Sequence, residues 1–142
     1  MKTVHIARAV GSTGSSTPAY QVEVEAGPHH LVADEPAGAG GGDVGPSPFG
    51  LVLSGLAACT LTTLRKYAER KGWELTTIEV DVRLDVDTGD NGRRSIERTI
   101  TVPGNLTGEQ RQRLADIAER TPVTLAIREG TPITTTFQPH ND

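Results

Sequence analysis

Cysteine occurs once in the 142 residues of this chain, as Cys59, so no intrachain disulfide can form. No apolar run reads as long enough to cross a bilayer, and Met1-Lys2-Thr3-Val4-His5 lacks the apolar core of a signal peptide. A cytoplasmic protein with no membrane partner is therefore the expectation. Nor is positive charge in excess: the formal net charge is −4, which argues against an extended nucleic-acid surface. The glycine-rich run Gly38 to Gly42 lacks a following Lys-Ser/Thr and a strand-to-helix setting, so it reads as a flexible loop and not a phosphate cradle. His29 and His30 are neighbours in a strand and point to opposite faces, with no further ligand cluster beside them. No metal and no cofactor are expected. The length suits one domain, 1–142, burying about two-thirds of its unfolded surface.

Proline is missing from Phe49 to Val102, and charge is missing from Phe49 to Leu61. What fills the first part of that span is a helix. Ser47 can cap it, and Pro48 suits the first helical position, where its missing N–H costs nothing. Good helix formers continue through Arg70, and Lys71-Gly72 supplies a basic last turn and a glycine stop. The helix is expected from about Pro48 to about Lys71, roughly six turns. Its charge-free half belongs in a core and its charged half in water. Cys59 lies about midway, with Val52, Gly55, Thr62 and Thr63 on its side. A face of such small or polar groups leaves room for a small ligand, or for another helix to approach.

Strand patterns flank this helix. Val4, Ile6 and Val10 share one face, interrupted by Arg8; Tyr20, Val22 and Val24 alternate with Gln21, Glu23 and Glu25; His29 to Val32 completes a three-stranded meander. Gly11 to Ser16 reads as a hairpin loop, and Asp34 to Gly45 as a connection with little order of its own. Beyond the helix, Ile78, Val80, Val82, Leu84 and Val86 mark a strand over Thr76 to Val86. Asp87 to Gly92 turns the chain, and Ile96, Ile100 and Val102 return. Thr107 and Gln110 fit a capping box for a helix with Leu114, Ile117 and Ala118 inward, stopping near Arg120. Thr121 and Pro122 open a short helix to Arg128, closed by Gly130, and Ile133 to Phe137 reads as a last strand. The clusters Glu69/Arg70/Lys71 and Arg111/Arg113 read as solvated helix faces. The class is α+β with mostly antiparallel pairing.

Asp34-Glu35-Pro36, the glycine run, Gly42-Asp43, Gly45-Pro46-Ser47-Pro48 and Leu56-Ala57-Ala58-Cys59-Thr60 together resemble the OsmC/Ohr superfamily. Leu64-Arg65-Lys66-Tyr67-Ala68, Trp73, Leu106-Thr107 to Ala118 and Thr121-Pro122-Val123 continue the likeness over nearly the whole chain. The resemblance implies antiparallel sheets around a long central helix, in an intertwined homodimer with two sites at the subunit interface. It implies reduction of organic or related hydroperoxides by Cys59. Family peroxidases carry a second cysteine before a Pro-Val pair, where this chain has Thr121. They carry a glutamate soon after the proline that opens the helix, where it has Phe49 and Gly50. An arginine from the N-terminal region pairs with the thiolate in the organic hydroperoxide group, and Arg8 is the only arginine before the helix.

A peroxidatic thiol attacks as its thiolate, and a mid-helix cysteine gains little from the helix N-terminus, so a nearby cation is required. Without a cysteine at 121, a sulfenic acid must be reduced by an external thiol. The expected site is Cys59 as nucleophile, with Arg8 as candidate cation and Phe49, Val52, Gly55, Leu56, Thr63 and Thr121 lining a substrate pocket. The expected partners are a second copy of the chain, a small-molecule peroxide or hydrophobic ligand, and an external thiol reductant. The alternatives are a non-catalytic small-molecule binder that has lost the redox machinery, and an interaction protein in which Cys59 merely packs.

Overall fold

The computed structural model describes residues 2–11, 19–87, 89 and 91–140, which fall into two compact units, Met1–Ser54 and Gly55–Asp142. Apart from Gly11, the expected N-terminal hairpin loop lies outside the described residues, as do Thr88 and Asp90 of the later turn.

The first unit is built on an antiparallel meander, β1 (Ala7–Val10), β2 (Val22–Ala26) and β3 (His29–Ala33), in that spatial order. Its register sets Arg8 opposite Glu25 and Glu25 opposite His30, while His30 reaches diagonally to bond Glu23. The alternation in β2 is half-buried against exposed, as its sequence predicts. On β1 every residue is exposed, and Val4, Ile6 and Tyr20 lie outside the strands.

The connection after β3 is far from formless. Asp34 is buried and its carboxylate accepts from three backbone amides: Glu35 at 2.7 Å, Gly42 at 3.1 Å and Val44 at 3.2 Å. Backbone bonds from Asp43 to Glu35 and from Asp34 to Pro46 close the loop around a 3-10 turn at Ala37–Ala39. Two glycines are obligatory here. A Cβ at Gly41 would stand 2.0 Å from the Glu35 carbonyl oxygen, and one at Gly45 2.0 Å from that of Val32. The loop is therefore fixed by one buried carboxylate whose targets lie up to ten residues away.

Helix α1 runs Pro48–Lys71, as its end signals predict. The Ser47 hydroxyl accepts from the Gly50 amide at 3.0 Å. At the other end Gly72 (φ 72°) bonds back to Glu69 and Trp73 to Ala68, a Schellman closure. By length and composition alone this helix could cross a membrane, contrary to the expectation of no such run. Its second half, however, carries Arg65, Lys66, Glu69, Arg70 and Lys71 while burying Leu64, Tyr67 and Ala68 within this chain.

The second unit adds a hairpin, β4 (Glu79–Val86) with β5 (Arg94–Thr101), and helices α2 (Gly108–Ala118) and α3 (Pro122–Glu129). Leu64, Tyr67, Ile78, Leu106, Leu114 and Ala118 form its core, with Trp73, Val80, Ile100 and Ile117 packed against them. The capping box at Thr107 and Gln110 is present, and the Thr121 hydroxyl caps α3. The architecture is α+β with two antiparallel sheets.

Two further expectations need correction. The charge-free half of α1 is not enclosed by its own chain. Only the stripe Leu56, Thr60, Leu64, Tyr67 and Ala68 is buried, because chain covers the helix on one side alone. Residues 133–137 are not a strand: Ile133 is 88 % and Phe137 97 % exposed, and no described strand offers them a backbone ladder.

Candidate active site

Cys59 is half-buried in the middle of α1, and its sulfur lies 4.0 Å from the hydroxyl of Thr63 one turn on. One turn back stands Gly55, where an added Cβ would meet nothing within 4 Å. The thiol face is thus small-sided and open within the second unit. Thr63 is half-buried and Gly55 exposed, as a lining requires.

Leu56 and Thr121 are instead closed off. Leu56 is buried, and its carbonyl accepts from the Thr60 hydroxyl at 2.7 Å. Thr121 is fully buried, with its oxygen 2.6 Å from that of Thr124. Phe49 and Val52 are exposed in the first unit, as is Arg8 on β1.

The residue that inspection of the sequence missed is Arg98. In the register of the hairpin it faces Val82, between the pairs Val80–Ile100 and Leu84–Ile96, so a charged side chain occupies the apolar face. Its side chain is only 11 % exposed. One guanidinium nitrogen donates to the hydroxyls of Thr60 at 3.0 Å and Thr124 at 2.8 Å, the other to the Ala118 carbonyl at 2.9 Å. The polar chain therefore runs Thr60–Arg98–Thr124–Thr121, linking the residue after Cys59 to the cap of α3. The signal was an arginine at an inward position of an alternating strand.

Further along α1, Tyr67 shows how the basic clusters are used. Arg113 donates to its hydroxyl at 2.9 Å, and Arg70, Lys71 and Arg113 all lie within 5.8 Å of the ring centroid. Those residues are not simply solvated. The hydrogen bond from Arg113 holds the phenol below its ordinary value, opposed by desolvation and helped by the charges of Arg113, Lys71 and Arg70.

Residues 40–136 match the sequence model of the family described as OsmC-like protein. Among solved structures, the fold is similar to the OsmC-like protein of Mycoplasma pneumoniae: TM-score 0.74, 19 % identity, 90 % of this chain and 89 % of that one covered. An organic hydroperoxide resistance protein OsmC from Legionella pneumophila is similar at TM-score 0.68 and 23 % identity, with 89 % and 90 % covered. The organic hydroperoxide resistance protein OhrB of Bacillus subtilis is similar at TM-score 0.61 and 27 % identity, with 89 % and 91 % covered. No curated protein sequence matches the chain.

Proposed function

The chain belongs to the OsmC-like protein family, and on that premise we propose that it is a one-cysteine thiol peroxidase acting on organic or related hydroperoxides. The observation that carries this reading is the position of its one cysteine, half-buried on an open face of the central helix within the matched segment. The Cys59 thiolate attacks one peroxide oxygen and the O–O bond breaks. Sulfur is oxidised to the sulfenic acid, and the alkoxide leaves as the alcohol after taking a proton. Two thiols of an external reductant then return the cysteine, releasing water and becoming a disulfide. Thr121 supplies no second sulfur, so the electrons must come from outside the chain.

The open faces of β1 and α1, with Ile133 and Phe137, support a homodimer of single-domain chains that covers them. Gly55 and Thr63 then line the pocket beside Cys59. A cytoplasmic setting, where external thiols are plentiful, suits this chemistry. The absence of a glutamate at Phe49 and Gly50 favours the competing reading, a binder without redox turnover.

Peroxide consumption with a dithiol reductant, compared between the wild type and Cys59→Ser, decides between them. Turnover of cumene hydroperoxide that vanishes in Cys59→Ser is expected. Equal consumption by both proteins would rule the peroxidase out.

A further inference from the structure

In the second unit three cations converge on one ring. Arg70 and Lys71, in the last turn of α1, and Arg113, on α2, each lie within 5.8 Å of the Tyr67 centroid. Among the described residues none of the three is in ion-pair contact with a carboxylate, whereas the exposed Arg83 and Arg128 are paired with Asp85 and Glu119. Asp116 acts on Arg113 only through space, and its carboxylate accepts from Gln112 at 3.1 Å. Like charges gathered without a counter-charge favour an anion from outside the chain.

Capping of the helix does not account for the cluster. The partial negative charge at the end of α1 attracts Arg70 and Lys71, but it amounts to about half a charge. The Ala68 and Glu69 carbonyls there are already taken by the Trp73 and Gly72 amides.

The platform beneath the cations is fixed. Tyr67 belongs to the buried core and meets Trp73 edge-on, with ring centroids 5.6 Å apart. Arg113 spends its Nε on the Tyr67 hydroxyl at 2.9 Å. Both terminal nitrogens of its fork are left without an acceptor among the described residues. The phenol accepts that bond and keeps its own proton free to donate. A planar fork beside an ammonium and a second guanidinium suits the oxygens of a tetrahedral anion. Arg113 chiefly, through its hydrogen bond, holds the phenol below its ordinary value against desolvation, and the charges of Arg113, Lys71 and Arg70 add to the effect. The hydroxyl therefore already lies in a positive field.

We propose that Arg70, Lys71 and Arg113 form a binding site for a phosphate group at the hydroxyl of Tyr67. Three positive charges match a dianion better than a single carboxylate. The site draws on no property of Cys59 and stands apart from the peroxidase reading.

Equilibrium dialysis of inorganic phosphate at constant ionic strength tests the site. One phosphate per chain is expected, with a dissociation constant of about 1 mM. The emission of Trp73, the one tryptophan, should change along the same saturation curve. Arg70→Gln/Lys71→Gln should weaken binding about tenfold or more. Arg93→Gln/Arg94→Gln removes the same charge at the turn end of the β4–β5 hairpin, from residues that do not act on Tyr67, and should bind as the wild type does. All four side chains are exposed, so both variants keep the fold. An equal loss in the two variants would reduce the effect to net charge and overturn the site. So would a wild type that takes up no phosphate at about ten times the expected constant. Glycerol phosphate identifies the source: binding tighter than that of inorganic phosphate assigns a small phosphomonoester, and weaker binding assigns the free ion.

Discussion

Along α1, the half without a single charge is the half its own chain leaves open. Phe49 is 52 % exposed and Val52 48 %, whereas Leu64, just ahead of the charged residues of the second half, and Ala68, between them, are buried. Composition ranks these halves in the opposite order. The reason is that burial depends on what packs against a face, and the second half is the one that meets Ile78, Leu106 and Leu114. An apolar helix end with Phe49 and Val52 exposed is the kind of surface that association covers, which is how the dimer enters the proposed function. The thiol stands between the two regimes, with Thr60 gripped on one side and open space beside Gly55 on another.

Truncation in the anchored half should give the largest effect. Leu64→Ala removes a fully buried side chain from the centre of the core and should cost about 2–5 kcal/mol in urea unfolding. A loss below about 1 kcal/mol would mean that the second unit repacks freely there.

In the open half the expected effect is on association. A carboxylate at Val52 would be buried unpaired if a second copy covers this face, at a cost of several kcal/mol. Val52→Asp should therefore raise the dimer dissociation constant by roughly a hundredfold or more, as read by sedimentation across a dilution series. An unchanged constant would show that the face stays in water, and the contrast between the halves would then hold for the assembled protein too.

How much of this was legible in the sequence depends on how local each cause is. The ends of α1 were legible because Ser47, Pro48 and Gly72 act within a turn of their own position. The pairing of β4 with β5 was legible from alternation, but following only the apolar residues stepped over Arg98, which sits between Ile96 and Ile100 on the same face. Asp34 was illegible in a different sense. Its carboxylate reaches amides at Gly42 and Val44, and nothing in a glycine-rich run announces a distant acceptor. Residues 133–137 carry a strand pattern whose partner is not among the described strands, so the pattern alone could not place them. Cys59 was legible because it is the one cysteine; the buried network that holds its neighbour Thr60 required the fold.

The smallest expected effect lies at the anchored end of α1, where Tyr67 meets three cations. Arg113 lowers its phenol chiefly through their hydrogen bond, so the folded protein should release this proton at a lower pH than the unfolded chain. Between the folded and unfolded values the unfolded state binds more protons, and stability from this group rises with pH. That contribution is complete above the unfolded value and lost as pH falls through the folded one. Arg113→Leu should move the phenolate absorbance to higher pH and remove the rise. Tyr67→Phe identifies which of the two tyrosines is responsible. An Arg113→Leu protein whose Tyr67 titrates as in the wild type would show that Arg70 and Lys71 set the phenol instead, and that the anchored half of α1 owes its electrostatics to its own last turn.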